Sequence, residues 1–178
     1  MKTSLKVCNT RQILIDGFNL IYKFPDLEEM MSRSDLRGAM RGLLDILAEY
    51  AKSAKKKIRV VFDGKKESGL DLHQERVKGI EVFYSIDFSA DHLIMQFIKH
   101  DPRPALVTVV TSDKEIVSFV NRFRAPVILS ENFAELVQNT LEPKEEPEPP
   151  EKNESVSLSD EELSFWERLF RGNRKNQE

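Results

Sequence analysis

The chain has 178 residues, 40% apolar and 32% charged, which is enough for one domain with a proper core and a tail. Its one cysteine, Cys8, excludes an internal disulfide framework. No apolar run approaches the roughly 18 residues of a membrane span, and the first residues lack the apolar stretch of a signal peptide, so a cytoplasmic protein without membrane partners is expected.

The formal charge of −3 is uneven: 21 Lys+Arg stand against 19 Asp+Glu through Thr140, and 6 against 11 from Leu141 onward. The acid sits largely in the tail, so the overall balance does not exclude a nucleic-acid ligand.

In chain order, Gln12 to Asp16 (QILID) is a short apolar run stopped by Asp16-Gly17, the pattern of a buried strand and a turn. Ser34 reads as an N-cap with Asp35 behind it. Leu36, Met40, Leu43, Leu44, Leu47, Tyr50 and Ala51 then repeat at helical spacing. Ile58 to Asp63 (IRVVFD) is a second buried strand, again ending in Asp-Gly, and Ile80 to Ser85 (IEVFYS) is a third. The intervening Gly64 to Gly79 is polar, with one helical turn expected around His73 to Val77. Ala90 to His100 is a helix with Leu93, Ile94, Phe97 and Ile98 inward. Leu106 to Thr111 (LVTVVT) is a fourth strand, followed by a helix from about Lys114 to Phe123. A fifth strand, Pro126 to Ser130 (PVILS), and a short helix, Asn132 to Asn139, complete the pattern.

Near-continuous apolar strands alternating with helices predict an α/β domain whose parallel sheet is covered on both faces. This domain is expected to span residues 1–140. Glu142 to Glu154 holds four prolines and six glutamates, and a disordered linker is expected over 141–158. Residues 159–178 read as a short amphipathic helix and basic tail. Ser159 to Glu162 forms a capping box, and Leu163, Trp166, Leu169 and Phe170 share one face. So short a helix needs a surface, either its own domain or a protein partner.

In an open parallel sheet, ligands bind beyond the carboxyl ends of the strands, where strand order reverses. Aspartate recurs there: Asp16 ends strand one, Asp63 ends strand two, Asp91 begins the helix after strand three, and Asp113 follows strand four. Asn19 lies in the loop leaving Asp16. Any one of these acids is explained by turn or cap chemistry; four at one edge are not. Clustered carboxylates raise one another's pKa unless a cation is present. Hard oxygen ligands suit Mg²⁺ or Mn²⁺, whereas one thiol and three scattered histidines do not suit zinc. Carboxylate-held metal is a device for phosphodiester cleavage.

The ordered set ILIDGFNLI (Ile13 to Ile21), VVFDG (Val60 to Gly64), SADHLI (Ser89 to Ile94) and VTVVTSDKEI (Val107 to Ile116) resembles the signatures of the NYN domain, in particular the YacP-like branch of PIN-like ribonucleases. The resemblance covers about Gln12 to Val137. It implies a three-layer α/β/α sandwich with about five parallel strands in the order 3-2-1-4-5. It also implies a divalent-metal-dependent endoribonuclease, in some relatives acting on messenger RNA at the ribosome. By motif, Asp16, Asp91 and Asp113 would be metal-binding acids, and Asn19 would position a metal-bound water or a phosphate. Asp63 would bind metal through water, and Ser112 would contact a ligand or fix the turn presenting Asp113. His92 stands where relatives often have another polar or acidic residue, and is read as structural or substrate-facing.

Cations near the acid edge are Lys65 and Lys66 after Asp63, and Arg37 and Arg41 one helical turn apart, all candidates for phosphate contact. The run Lys55, Lys56, Lys57 and Arg59 belongs to the opposite edge. Phe18, Tyr22 and Phe24 near Asp16 are read as packing before base stacking. Three rivals stand beside the ribonuclease. A haloacid-dehalogenase-like phosphatase would need a second aspartate where Phe18 is. A receiver-type phosphorylation domain has only Asp87 to accept phosphate. A non-catalytic RNA- or ribosome-binding module would keep the acids for structure.

Overall fold

The computed structural model describes residues 12–64, 74–85 and 88–142. The chain divides into two units, Met1–Glu142 and Pro143–Glu178; the second, with its expected linker and capped helix, lies outside the described residues, as do Lys65, Lys66, His73 and Asp87.

The elements are β1 (Gln12–Asp16), α1 (Gly17–Ile21), α2 (Pro25–Ser32), α3 (Leu36–Ala54), β2 (Lys57–Asp63), β3 (Gln74–Val77), β4 (Ile80–Ser85), α4 (Ala90–His100), β5 (Val107–Val110), α5 (Lys114–Asn121), β6 (Val127–Ile128) and α6 (Ser130–Leu141). They build one six-stranded sheet in the order β3-β4-β2-β1-β5-β6. The five strands expected from apolar runs are all present and all parallel, with β1 central between β2 and β5. Without β3, their spatial order is the expected 3-2-1-4-5.

Alternation along each strand divides the core between two faces. Ile13 and Ile15 of β1 join Val60 and Phe62 of β2 in one cluster with Leu43 and Leu47 of α3 and Phe133 of α6. Leu14 and Val61 point the other way, onto Ile94 and Ile98 of α4 and Ile116 and Val120 of α5. A sheet buried on both sides needs apolar residues at consecutive positions, which is why the strands read as unbroken runs. No helix among the described residues is long and apolar enough to cross a membrane.

Four expectations are corrected. The region before β4 is not helical at Gln74–Val77: it pairs antiparallel with β4 as a sixth strand, and the Tyr84 hydroxyl donates to Glu75. Ser34 is not the cap of α3. It sits at φ 62°, and Asp35 caps instead, accepting from Gly38 N–H at 2.9 Å. The chain after Asp16 does not merely turn but forms α1, and Pro25 at the first position of α2 starts a second short helix. The fifth parallel strand is only Val127–Ile128, because Ser130 already belongs to α6.

Candidate active site

Sheet register decides which polar groups meet. Ile15 pairs with Val110, so the next residues, Asp16 and Thr111, lie side by side where β1 and β5 part. This is the crevice at which strand order reverses, with β2 on one side of β1 and β5 on the other. The fully buried Thr111 hydroxyl donates to Asp16 Oδ2 at 3.1 Å, and its oxygen accepts the Asp113 N–H at 3.1 Å. One side chain thus ties two of the acids together. Asp16 Oδ1 accepts from Asn19 N–H at 3.2 Å, so Asp16 also caps α1.

Asp113 caps α5, its Oδ1 accepting from Glu115 N–H at 2.7 Å and Ile116 N–H at 3.1 Å. Register likewise sets Asp63 opposite Ser85, whose hydroxyl donates to Asp63 Oδ1 at 3.2 Å. Ser89 caps α4 by accepting from His92 N–H at 3.2 Å, which places Asp91 in the first turn.

The four expected acids share one electrostatic environment. Burial raises the Asp16 carboxyl to about 6; hydrogen bonds from Asn19 and Thr111 oppose the rise, while the charges of Asp91 and Asp113 add to it. Asp91 is also raised, first by burial and then by Asp113, Asp63 and Glu115. Among the described residues no three Asp, Glu, His or Cys side chains draw close enough to cage an ion. The acids instead line an open edge. Such an oxygen donor set fits an ion that keeps much of its water shell, as Mg²⁺ does, better than one needing a full protein cage.

A second network supports the first. Asn19 Oδ1 accepts from the Ser112 backbone N–H at 3.1 Å and from the Ser130 hydroxyl at 2.7 Å. A backbone N–H only donates, so the amide oxygen must face it, and the Asn19 NH₂ is left as the group for a ligand. The Ser112 hydroxyl accepts from Ser130 N–H at 3.0 Å and donates to Glu131. That bond is the first cause holding the Glu131 carboxyl below its usual range; Lys23 adds to it from 3.9 Å. Ser112 therefore fixes the turn before Asp113.

Thr111, Ser130, Glu131 and Ser85 were not singled out from the sequence. For Thr111, Ser130 and Ser85 the signal was a polar residue at the carboxyl end of an expected strand, as for the acids; Glu131, in the first turn of α6, carried none. Arg37 and Arg41 are exposed on α3, and no interaction links either to the acids. Of the nearby aromatics, Phe24 is buried and Phe18 packs edge-on against Phe62 at 5.3 Å, whereas Tyr22 is exposed. The exposed Phe88 lies against the His92 ring at 5.0 Å, so His92 faces outward beside Asp91.

No curated protein matches the chain. Two crystal structures of Rae1 (YacP) from Bacillus subtilis share its fold. One has 24% identity and a TM-score of 0.55, covering 90% of this chain and 94% of that one. The other, a single-substitution variant, has 22% identity and a TM-score of 0.58, covering 72% and 75%. The model of the YacP-like NYN domain matches residues 13–171, spanning every strand-end acid described above. The chain belongs to the YacP-like NYN domain family, whose fold is nuclease-like.

Proposed function

We propose that this protein is a divalent-metal-dependent endoribonuclease, hydrolysing phosphodiester bonds of RNA with Asp16, Asp91 and Asp113 as the acids that hold Mg²⁺ or Mn²⁺. The observation that carries this reading is the gathering of those carboxylates at the strand-order switch point, where burial first, and then the charges of Asp91 and Asp113, raise the Asp16 carboxyl to about 6. Family membership supports the same reading. When bound, the metal would neutralise the acids, activate water and stabilise charge on the leaving oxygen.

The chain's own residues divide the remaining work. Thr111 holds Asp16 and Asp113 in fixed relation. Asn19, its oxygen fixed by Ser112 and Ser130, offers its NH₂ to a phosphate oxygen. Asp63, steadied by Ser85, adds negative charge at the rim and would act through water. A setting on messenger RNA during translation is the narrower form of the proposal, and rests on the family alone.

A circular, single-stranded RNA tests it, since only internal cleavage can linearise a circle. Linear product with Mg²⁺ or Mn²⁺ and none with EDTA is the expected result. The open spacing of the acids favours one alternative, a non-catalytic RNA- or ribosome-binding module. A circle left intact by protein that binds it, with and without translating ribosomes, would establish that module instead.

A further inference from the structure

A groove of about 380 Å³ opens between α4 and α5, lined by Met95, Lys114, Glu115, Ser118, Phe119 and Arg122. Both helices follow parallel strands, so both begin at the acid edge. The groove therefore starts beside Asp91 and Asp113 and runs away from them along the surface. Lys114 and Glu115, one of the groups that raise Asp91, open α5 beside Asp113. Lys114, Ser118 and Arg122, the C-cap of α5, follow one another at intervals of four residues on one exposed stripe. Lys114 and Arg122 are separated by two turns, about 12 Å.

Neither cation forms an ion pair with a carboxylate among the described residues. The surface offers other cations that do: Lys78 meets Asp45 at 2.7 Å and Arg33 meets Glu29. Arg122 instead lies over the Phe119 ring, its guanidinium carbon 5.6 Å from the centroid. Phe119 is in turn braced by Phe123 at 5.1 Å. A guanidinium resting on a ring forms a flat, charged ledge that can hold a phosphate with its edge and a base with its face.

We infer that the α4–α5 groove binds the stretch of single-stranded RNA that leaves the acid edge, with Lys114 and Arg122 each neutralising a phosphate and the Arg122–Phe119 ledge carrying an unpaired base. The inference rests on the ribonuclease reading for the nature of its ligand. It adds a site that places positive charge beside the acid edge. Lys114 and Arg122 are not part of the acid network, and they are distinct from Arg37 and Arg41 on α3.

The test reads binding, not cleavage, so that it stands or falls separately from the enzyme activity. Full-length protein carrying Asp113→Asn, which keeps a capping side chain, would be titrated with fluorescent single-stranded RNA in Mg²⁺ at several salt concentrations. Each lost phosphate contact should weaken binding about five-fold near 0.1 M salt and flatten the log–log salt slope by about 0.7. Lys114→Ala with Arg122→Ala should then weaken it about 25-fold and flatten the slope by about 1.4. Arg122→Lys should keep the slope, and Lys52→Ala, at the far end of α3, should change neither quantity. Thermal unfolding of each variant separates lost binding from lost fold. A double variant that stays folded and binds with unchanged affinity and slope overturns the inference, as does a parent protein that binds RNA no better than the double variant.

Discussion

Replacing Asp16 by asparagine separates the cost of its buried charge from what that charge does. The carboxyl is raised from 3.8 to about 6, with burial as the main cause. At about 1.36 kcal/mol per unit, ionising it in the metal-free protein costs about 3 kcal/mol of stability. The folded value lies above the unfolded one, so this stability is present below about pH 4. It is lost as the pH rises to about 6, with no further loss above. Asparagine has nothing to ionise and keeps an acceptor for Asn19 N–H, but it turns an NH₂ toward the Thr111 hydroxyl, a loss of about 1 kcal/mol.

Urea unfolding in EDTA should therefore find Asp16→Asn less stable than the native chain by about 1 kcal/mol at pH 4 and more stable by about 2 kcal/mol at pH 8. Adding Mg²⁺ at pH 8 should stabilise the native chain by mass action and leave the variant unmoved. A stability difference that stays constant across this pH range would mean that Asp16 is not held as a strained buried charge.

Other outcomes follow from the same geometry. Asp113→Ala should cost about 1 kcal/mol in thermal unfolding through loss of the α5 cap, while Asp113→Asn should cost little and still abolish cleavage; calorimetry with a cleavage assay separates the two roles. Thr111→Val removes a hydrogen bond that lowers Asp16, so the pH at which metal binding releases a proton, read by calorimetry in two buffers, should move upward. A Cβ at Gly17 would overlap the Phe62 ring, so Gly17→Ala should lower stability in urea by about 1–3 kcal/mol and displace Asn19 from the edge, reducing cleavage.

The sheet was legible because burial on both faces forces unbroken apolar runs, and those runs are the strands. β3 was not, because QERV is exposed at three of its four positions and pairs only at an edge, leaving no apolar pattern to read. α1 and α2 were hidden for a related reason: five and eight residues are too few to repeat an amphipathic stripe. At Ser34-Asp35 both residues are good caps by type, and the backbone decided between them by turning Ser34 into the left-handed region. The acids could be placed from strand ends alone. Their supports could not: the bond from Ser130 to Asn19 spans 111 residues and that from Thr111 to Asp16 spans 95, so each exists only once the crossovers are made. Lys114 and Arg122 escaped notice because an isolated pair of cations on a helix reads as an ordinary solvated face.

Whether the strand-end acids hold a divalent cation for RNA cleavage is decided by following cleavage of one single-stranded RNA against Mg²⁺ concentration for the native chain and for Asp16→Asn, Asp91→Asn and Asp113→Asn, with RNA binding measured in parallel. The expected result is metal-dependent cleavage by the native chain, its loss in all three variants, and RNA binding largely kept. Cleavage that survives in EDTA, or that any two of the three variants retain at the native rate, would show that these acids do not hold a catalytic cation.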